Sequence, residues 1–404
     1  MLSPEILASR RSGPVGVAVS GGGDSVALLL LAADCLPRAD LRVATVDHGL
    51  RDGSAAEAAW VADLCGRMGL GHRTLHWRDG RSMPGNLAQN AREARRRLLA
   101  DWIAEEGGGT ILLGHTQDDV AETFLMRLAR GSGLDGLSAM RPVVESDGCR
   151  FLRPVLGVSR DDLRSHLRAR GQDWLEDPTN EDVRYDRARV RAALGTLGGI
   201  GLTAEALARS ARRLSEARDV LADQVRAACG HMVHQDGWGQ LHLSLAPFGC
   251  APPAIRRGVL RAVLEHVAGP GHPPRQAALD GLEEGMRAGQ ARTLGGVALR
   301  SDGRIARFFR EGSAVATPFT VVGRVAHWDG RWTVSGDIEG GRLGALDRDG
   351  LRQCPARPRG LRAEVAATLP ALRDGDRLIA VPFLMPDPAI RFRLRHFAEA
   401  TPPH

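Results

Sequence analysis

The chemistry-bearing residues begin at Ser20-Gly21-Gly22-Gly23-Asp24-Ser25, which follows an apolar run at Val15, Val17 and Val19 and precedes another from Val26 to Leu31. Three side chains are missing in a row, so successive backbone N–H groups can turn toward an oxyanion. A helix starting there adds the positive end of its dipole. Ser20 and Ser25 supply hydroxyls. Asp24 repels a phosphate unless a divalent cation lies between them, so a carboxylate in this cradle predicts Mg2+. A Walker-type loop is excluded. It needs a lysine that reaches the outer phosphates, and all 54 Lys-plus-Arg residues of this chain are arginine.

A second cluster, GHTQDDVAET at 114–123, follows a predicted strand and opens a predicted helix. Asp118 and Asp119 fall in its first turn, where the dipole favours them, and Glu122 lies one turn on. Three carboxylates this close repel one another unless they bind a cation or an amine, and His115 stands beside them. Arg92 and Arg95 share one face of a long helix by their three-residue spacing, which suits either an anionic ligand or plain solvation. Arg187, Arg189 and Arg191 form a further basic group. Trp174 and Tyr185 suit either a stacked base or the core.

The elements that position these residues alternate. Strands are predicted at PVGVAVS, LRVATVDH, HRTLHW and TILLGHT, with helices at DSVALLLLAADCL, SAAEAAWVADLCGRMG, NLAQNAREARRRLLADWIAEEG and DDVAETFLMRLARG between and after them. Such βαβ units build a twisted, doubly wound parallel sheet with helices on both faces, and ligands bind beyond the carboxyl ends of its strands. All three polar clusters at 20–25, 47–51 and 114–123 follow strands. Ser159 is placed to cap a helix that Gly171 closes, and 177–187 reads as a loop. Helical spacing covers 203–230, and Asp302-Gly303 and Asp329-Gly330 each mark a hairpin.

At 404 residues the chain suggests roughly two to four domains. The expected division is 1–200 as the catalytic α/β domain, 201–315 as a largely helical accessory domain and 316–404 as a small β-rich domain. No apolar stretch reaches the length of a bilayer span, and the N-terminal MLSPEILASRRSG lacks the apolar core of a secretory signal, so a cytoplasmic protein is expected. The six cysteines form no C-x-x-C pair, which disfavours a disulfide framework, zinc ribbon or iron–sulfur cluster and reads as small buried hydrophobes. The net charge of +6, carried by arginine, suits a polyanionic partner, although coding bias toward arginine accounts for it as well.

The SGGGDS stretch is similar to the SGGxDS signature of the ATP pyrophosphatase (PP-loop) superfamily. The order of VDHGLR (46–51), GHTQDDVAET, LARGSGLDGL (128–137), RPVL…SRDDL and WLEDPTNEDVRYDR (174–187) resembles tRNA(Ile)-lysidine synthetase within it. The resemblance is dense over about residues 14–191. It departs at Thr116, Arg96 and Ala188, where the family usually carries a His or Asn, a Tyr and an Asn.

This resemblance implies a ligase for tRNA modification. ATP adenylates the C2 oxygen of the wobble cytidine in the CAU anticodon of tRNA(Ile). Free lysine then attacks C2 and expels AMP, pyrophosphate having left in the first step. It implies ATP and Mg2+ as cofactors and neither a membrane nor a stable protein partner. Asp24 is implied as the Mg2+ residue, and Ser20, Gly21, Gly22, Gly23, Asp24, Ser25, Val46, His48, Arg92 and His115 as the ATP site. Asp119 and Glu122 are implied at the lysine and cytidine, together with Asp118 and Arg95. Gly131, Ser132, Gly133, Arg187, Arg189 and Arg191 are implied as tRNA contacts. A tRNA thiolase or a tRNA-binding protein with an inactive loop are the alternatives. The first is disfavoured by the unpaired cysteines, the second by the intact carboxylates.

Overall fold

The computed structural model describes residues 2–49, 53–77, 87–138, 140–176, 186–269 and 274–400. The chain forms two compact units, Met1–Arg218 and Asp219–His404.

The first unit opens with helix α1 (Pro4–Ala8), then β1 (Val15–Ala18), α2 (Gly23–Cys35), β2 (Leu41–Asp47), α3 (Ser54–Met68) and β3 (His72–His76). It continues through α4 (Leu87–Glu105), β4 (Thr110–Leu113), α5 (Gln117–Leu128), α6 (Leu134–Leu137), β5 (Val143–Ser146), β6 (Cys149–Leu152), α7 (Arg160–Ala169) and α8 (Asp186–Leu197). The strand order is β3-β2-β1-β4-β6-β5, and all neighbours pair in parallel except β5 with β6. The sheet is the expected doubly wound parallel one, with an antiparallel strand added at this edge. Its hairpin turns at Asp147 (φ 53°) and Gly148 (φ 73°), and a four-residue strand is too short to display a period.

Helices cover both faces. On one side α2 buries Val26 through Ala32 almost completely, joined by Val61 and Leu64 of α3 and Leu163 and Leu167 of α7. A helix apolar all round belongs at the centre of a fold, and each such Leu contributes about 1.5–3 kcal/mol relative to exposure. On the other side α4 lays Leu99, Trp102 and Ile103 across the sheet. Gly16 in β1 permits this, since a Cβ there would sit 2.8 Å from the Trp102 ring.

The chain turns outward from β1 in two directions, to β2 on one side and to β4 on the other. Loops leaving the carboxyl ends of these two strands diverge around a crevice, the usual ligand position in open α/β sheets. Gly114, after β4, keeps them close. A Cβ on it would lie 3.0 Å from the Asp24 carbonyl oxygen and 3.1 Å from the Ser25 Cα.

Helix α9 (Ala204–Met232) occupies the stretch read as helical at 203–230, and the division between the units falls inside it. In the second unit β7 (Val233–Gln235), β8 (Leu241–Ser244), β9 (Arg292–Leu294), β10 (Val297–Ser301) and β11 (Ile305–Arg310) form an antiparallel sheet in the order β7-β8-β11-β10-β9. Helix α10 (Leu245–Cys250) precedes α11 (Pro253–Ala268) and α12 (Gln276–Arg287), and these last two supply the sheet's apolar cover. Strands β12 (Phe319–Thr320), β15 (Arg342–Ala345), β16 (Pro370–Asp374) and β17 (Arg377–Ala380) make a second sheet. Strands β13 (Val325–Trp328), β14 (Trp332–Gly336) and β18 (Ile390–Leu394) make a third. Both Asp-Gly hairpins form, and Asp329 (φ 52°) and Gly330 (φ 64°) adopt the paired positive φ of a tight hairpin turn.

Short elements escaped the sequence reading. Strand β9 and the helices α13 (Asp347–Gln353), α14 (Ala363–Ala366) and α15 (Phe397–Ala400) are each less than two turns or three residues long. The cysteines also divide. Cys65, Cys149 and Cys229 are buried as expected, but Cys35 and Cys250 are exposed at helix ends and Cys354 is intermediate. Among the described residues, no helix is long and apolar enough to cross a membrane.

Candidate active site

The glycine turn leads directly from β1 into α2. Gly21 takes φ +90°, and Gly22, the N-cap of α2, accepts from the backbone N–H of Ser25 and Val26 at 3.0 Å each. The Ser25 hydroxyl braces the turn from inside. It donates to the Gly22 carbonyl at 2.8 Å and accepts from the Ser20 N–H at 3.1 Å. Ser20 remains exposed. From outside, Leu175 donates its N–H to the Gly21 carbonyl at 2.9 Å, and Trp174 lies against Gly23, 3.4 Å from where a Cβ would be. Trp174 therefore packs on the turn, with its indole N–H donating to Glu176 at 2.8 Å.

Four carboxylates converge beside this turn. Thr116 caps α5 reciprocally: Asp119 Oδ2 accepts from the Thr116 N–H at 2.9 Å and its hydroxyl at 3.1 Å, which fixes the Asp119 side chain. Oδ1 stays free of the cap and accepts from Arg160 Nη2 at 3.4 Å. The same guanidinium donates from Nε to Asp24 at 3.1 Å and from Nη1 to Glu122 at 3.2 Å. Asp118 Oδ2 accepts from the Arg160 backbone N–H at 2.7 Å, tying the start of α7 to the start of α5. Glu122 is 1% exposed and also receives Arg191 Nε at 2.9 Å, with Arg187 Nε 4.0 Å away. Asp24 Oδ1 and Glu122 Oε2 are buried without a hydrogen bond. Burial raises the Asp24 carboxyl pKa, an effect only partly offset by Arg160. Arg160 itself is pulled down by burial but raised on balance by Asp24, Glu122 and Asp119.

A basic wall faces the carboxylates. His115 accepts at Nδ1 from Arg153 Nε at 3.0 Å. Burial, reinforced by Arg153, pushes its pKa down to about 4, so it is neutral near pH 7 and carries its proton on Nε2. The pKa of His48 is lowered by burial and then by Arg95, and Arg95 contributes to lowering that of His115 too. The Arg95 charge is thus felt at His48 and at His115 alike. Burial lowers Arg92 as well, with Arg187 adding to it.

The remaining candidates lie at varied distances from this centre. Val46 pairs with Leu75 inside the sheet and packs on its apolar face. Gly131 takes φ +67° beyond α5, Ser132 follows it, and Gly133 caps α6. Arg189 pairs with Asp186 on its own helix. Arg51, Tyr185 and most of the 177–187 loop lie outside the described residues. Arg153 and Arg160 are site residues that the sequence reading missed. Arg160 left one signal, because an arginine at the first position of a helix opposes the dipole and needs another reason to be there.

Residues 3–197 match the PP-loop domain family. The chain is 43% identical over 372 residues to the tRNA(Ile)-lysidine synthase of Ruegeria pomeroyi, covering 91% of this chain and 88% of that protein. It is 40% identical over 301 residues to the enzyme of the same name from Methylobacterium nodulans, covering 72% and 88%. With that of Bradyrhizobium sp. strain BTAi1 it shares 36% identity over 368 residues, covering 87% and 93%.

Proposed function

The chain belongs to the tRNA(Ile)-lysidine synthase family, and we propose that it joins free lysine to C2 of the wobble cytidine in the CAU anticodon of tRNA(Ile), using ATP. In the first step the cytidine O2 attacks the α-phosphorus of ATP and pyrophosphate leaves. In the second the lysine amine attacks C2, and AMP departs with the former O2.

The observation that carries this reading is the convergence of the glycine turn and the Thr116 cap across the β1–β4 crevice, held by the close approach of Gly114 to Asp24. Backbone N–H groups at the start of α2 are suited to hold the β and γ phosphates as the departing pyrophosphate. Asp24 fits a divalent cation. Its Oδ1 is buried and without a partner, and Mg2+ needs only one or two carboxylates beside substrate phosphates. When bound, Mg2+ offsets the charge that builds on the phosphate oxygens.

Glu122 Oε2, buried without a hydrogen bond, and Asp119 Oδ1, which Arg160 holds at 3.4 Å, are the carboxylate oxygens assigned to the amine. Because the chain holds no lysine, the nucleophile must come from solution. His115, neutral with a proton on Nε2, is a hydrogen-bond donor to the nucleotide rather than a proton carrier near pH 7. Arg92 and Arg95 face the adenylate. Gly131, Ser132, Gly133, Arg187, Arg189 and Arg191 contact the anticodon arm, and the segments 201–315 and 316–404 hold the rest of the tRNA. Phosphate contacts by arginine give affinity, and base contacts in the unstacked loop give specificity. The protein works in the cytoplasm, where its substrates are.

Incubation with ATP, Mg2+, radiolabelled lysine and CAU-anticodon tRNA tests the reading. Label enters the tRNA and AMP is released. Release of ADP instead, or modification only when cysteine and a sulfur carrier are supplied, contradicts it and favours the thiolase alternative.

A further inference from the structure

We propose that Arg160 is a stand-in cation, which neutralises Asp24, Asp119 and Glu122 while the site is empty and is released from them when the substrates' own cations arrive. The inference rests on the assignment of these three carboxylates made under Proposed function.

Its geometry is that of an exchangeable contact. Each of the three guanidinium nitrogens reaches a different carboxylate, on α2 or α5, at 3.1, 3.2 and 3.4 Å. Charge-assisted pairs that are locked are shorter and two-pronged. Arg300 with Glu364 in the second unit is one, with two parallel bonds of 2.7 Å. Arg160 spreads one charge over three anions instead.

Two further observations point the same way. Asp24 Oδ1 and Glu122 Oε2, the oxygens Arg160 does not reach, are buried without a hydrogen bond, Arg187 Nε standing 4.0 Å from the second, so the cluster keeps acceptors for another cation. The Arg160 backbone is meanwhile pinned through its N–H to Asp118 at 2.7 Å. A side chain that is loosely held on an anchored backbone can leave without moving α7. Its charge is then available to the phosphates on the neighbouring turn.

The test uses the full, nucleotide-free chain and Mn2+ as the probe, read by electron paramagnetic resonance. R160M should bind Mn2+ at least about tenfold tighter than the wild type, R160K should stay near the wild type, and D24N/R160M should lose the gain. Equal or weaker Mn2+ binding by R160M overturns the inference. Because R160M leaves carboxylates unpaired and can fail to fold, a second measurement follows the Arg160 Nε–H signal by 15N NMR in the wild type, assigned from its loss in R160K. Saturation with a nonhydrolysable ATP analogue, Mg2+ and lysine should shift that signal. A signal unmoved while the nucleotide is bound overturns the stand-in role and leaves the proposed function standing. Failure of the nucleotide to bind at all overturns both.

Discussion

Leu175 holds Gly21 from two sides at once: its N–H donates to the Gly21 carbonyl at 2.9 Å, and its Cδ1 lies 2.8 Å from where a Gly21 Cβ would stand. The phosphate turn is therefore shaped by a segment more than 150 residues downstream as well as by its own glycines.

Gly21→Ala meets both the positive φ of +90° and the Leu175 side chain. The backbone strain alone costs about 1–3 kcal/mol. The KM for ATP should rise about tenfold or more if that strain falls on the bound turn. G21A/L175A should recover part of the loss but not all, since the φ penalty remains. Full recovery in the double variant would place the whole effect on Leu175.

Asp24→Ala removes the carboxylate assigned to Mg2+ and one of the three partners of Arg160. Pyrophosphate release should become undetectable while tRNA still binds in a filter assay. Unchanged release would show that this carboxylate does not hold the metal.

Glu122 is 1% exposed and is shared by Arg160 and Arg191. Glu122→Ala should cost about 3 kcal/mol of stability, because the largely buried Arg160 loses one of its three carboxylates and Arg191 loses this acceptor in the same step. Arg191→Ala should cost under about 1 kcal/mol, since Arg191 is half-exposed and Glu122 keeps Arg160. Denaturant titration decides the order, and a larger loss for Arg191→Ala would contradict the partition.

His266 in α11 is 2% exposed, and burial, helped by Arg395, Arg331 and His396, pushes its pKa down from 6.5 to about 3. Between these values the unfolded chain binds a proton that the folded chain does not, so stability falls as pH falls through that window, by at most about 1.4 kcal/mol per pH unit. Above the ordinary histidine range the contribution is fully present. His266→Gln should flatten the dependence between pH 6.5 and 4.5 in denaturant titrations of the second unit's signal. An unchanged slope would rule His266 out as its source.

The parts of the site that were readable in the sequence are local. Glycines followed by Asp24 and a helical run, or Ser159 ahead of the helix that Gly171 closes, carry their geometry in their spacing. Arg160 was not readable as a site residue, because it meets Asp24 across 136 residues of chain and only the sheet order brings them together. Arg153 reaches His115 in the same non-local way. In the fold, α9 announced itself by period and α2 by its long apolar run, whereas β5, β9 and the short helices of the second unit are stabilised by packing that no local pattern records. The exposed cysteines show the converse error, in which residue type was read as burial although Cys35 and Cys250 close helices at the surface.

The central claim is that the glycine turn presents the α-phosphorus of ATP to the oxygen at C2 of the target cytidine. A tRNA carrying oxygen-18 at that position, turned over with ATP and lysine and followed by mass spectrometry of the nucleotide product, tests it most directly. The account predicts that the heavy oxygen leaves in AMP and that the modified base retains none. Heavy oxygen recovered in water or still in the tRNA, or appearance of ADP in place of AMP, would contradict it.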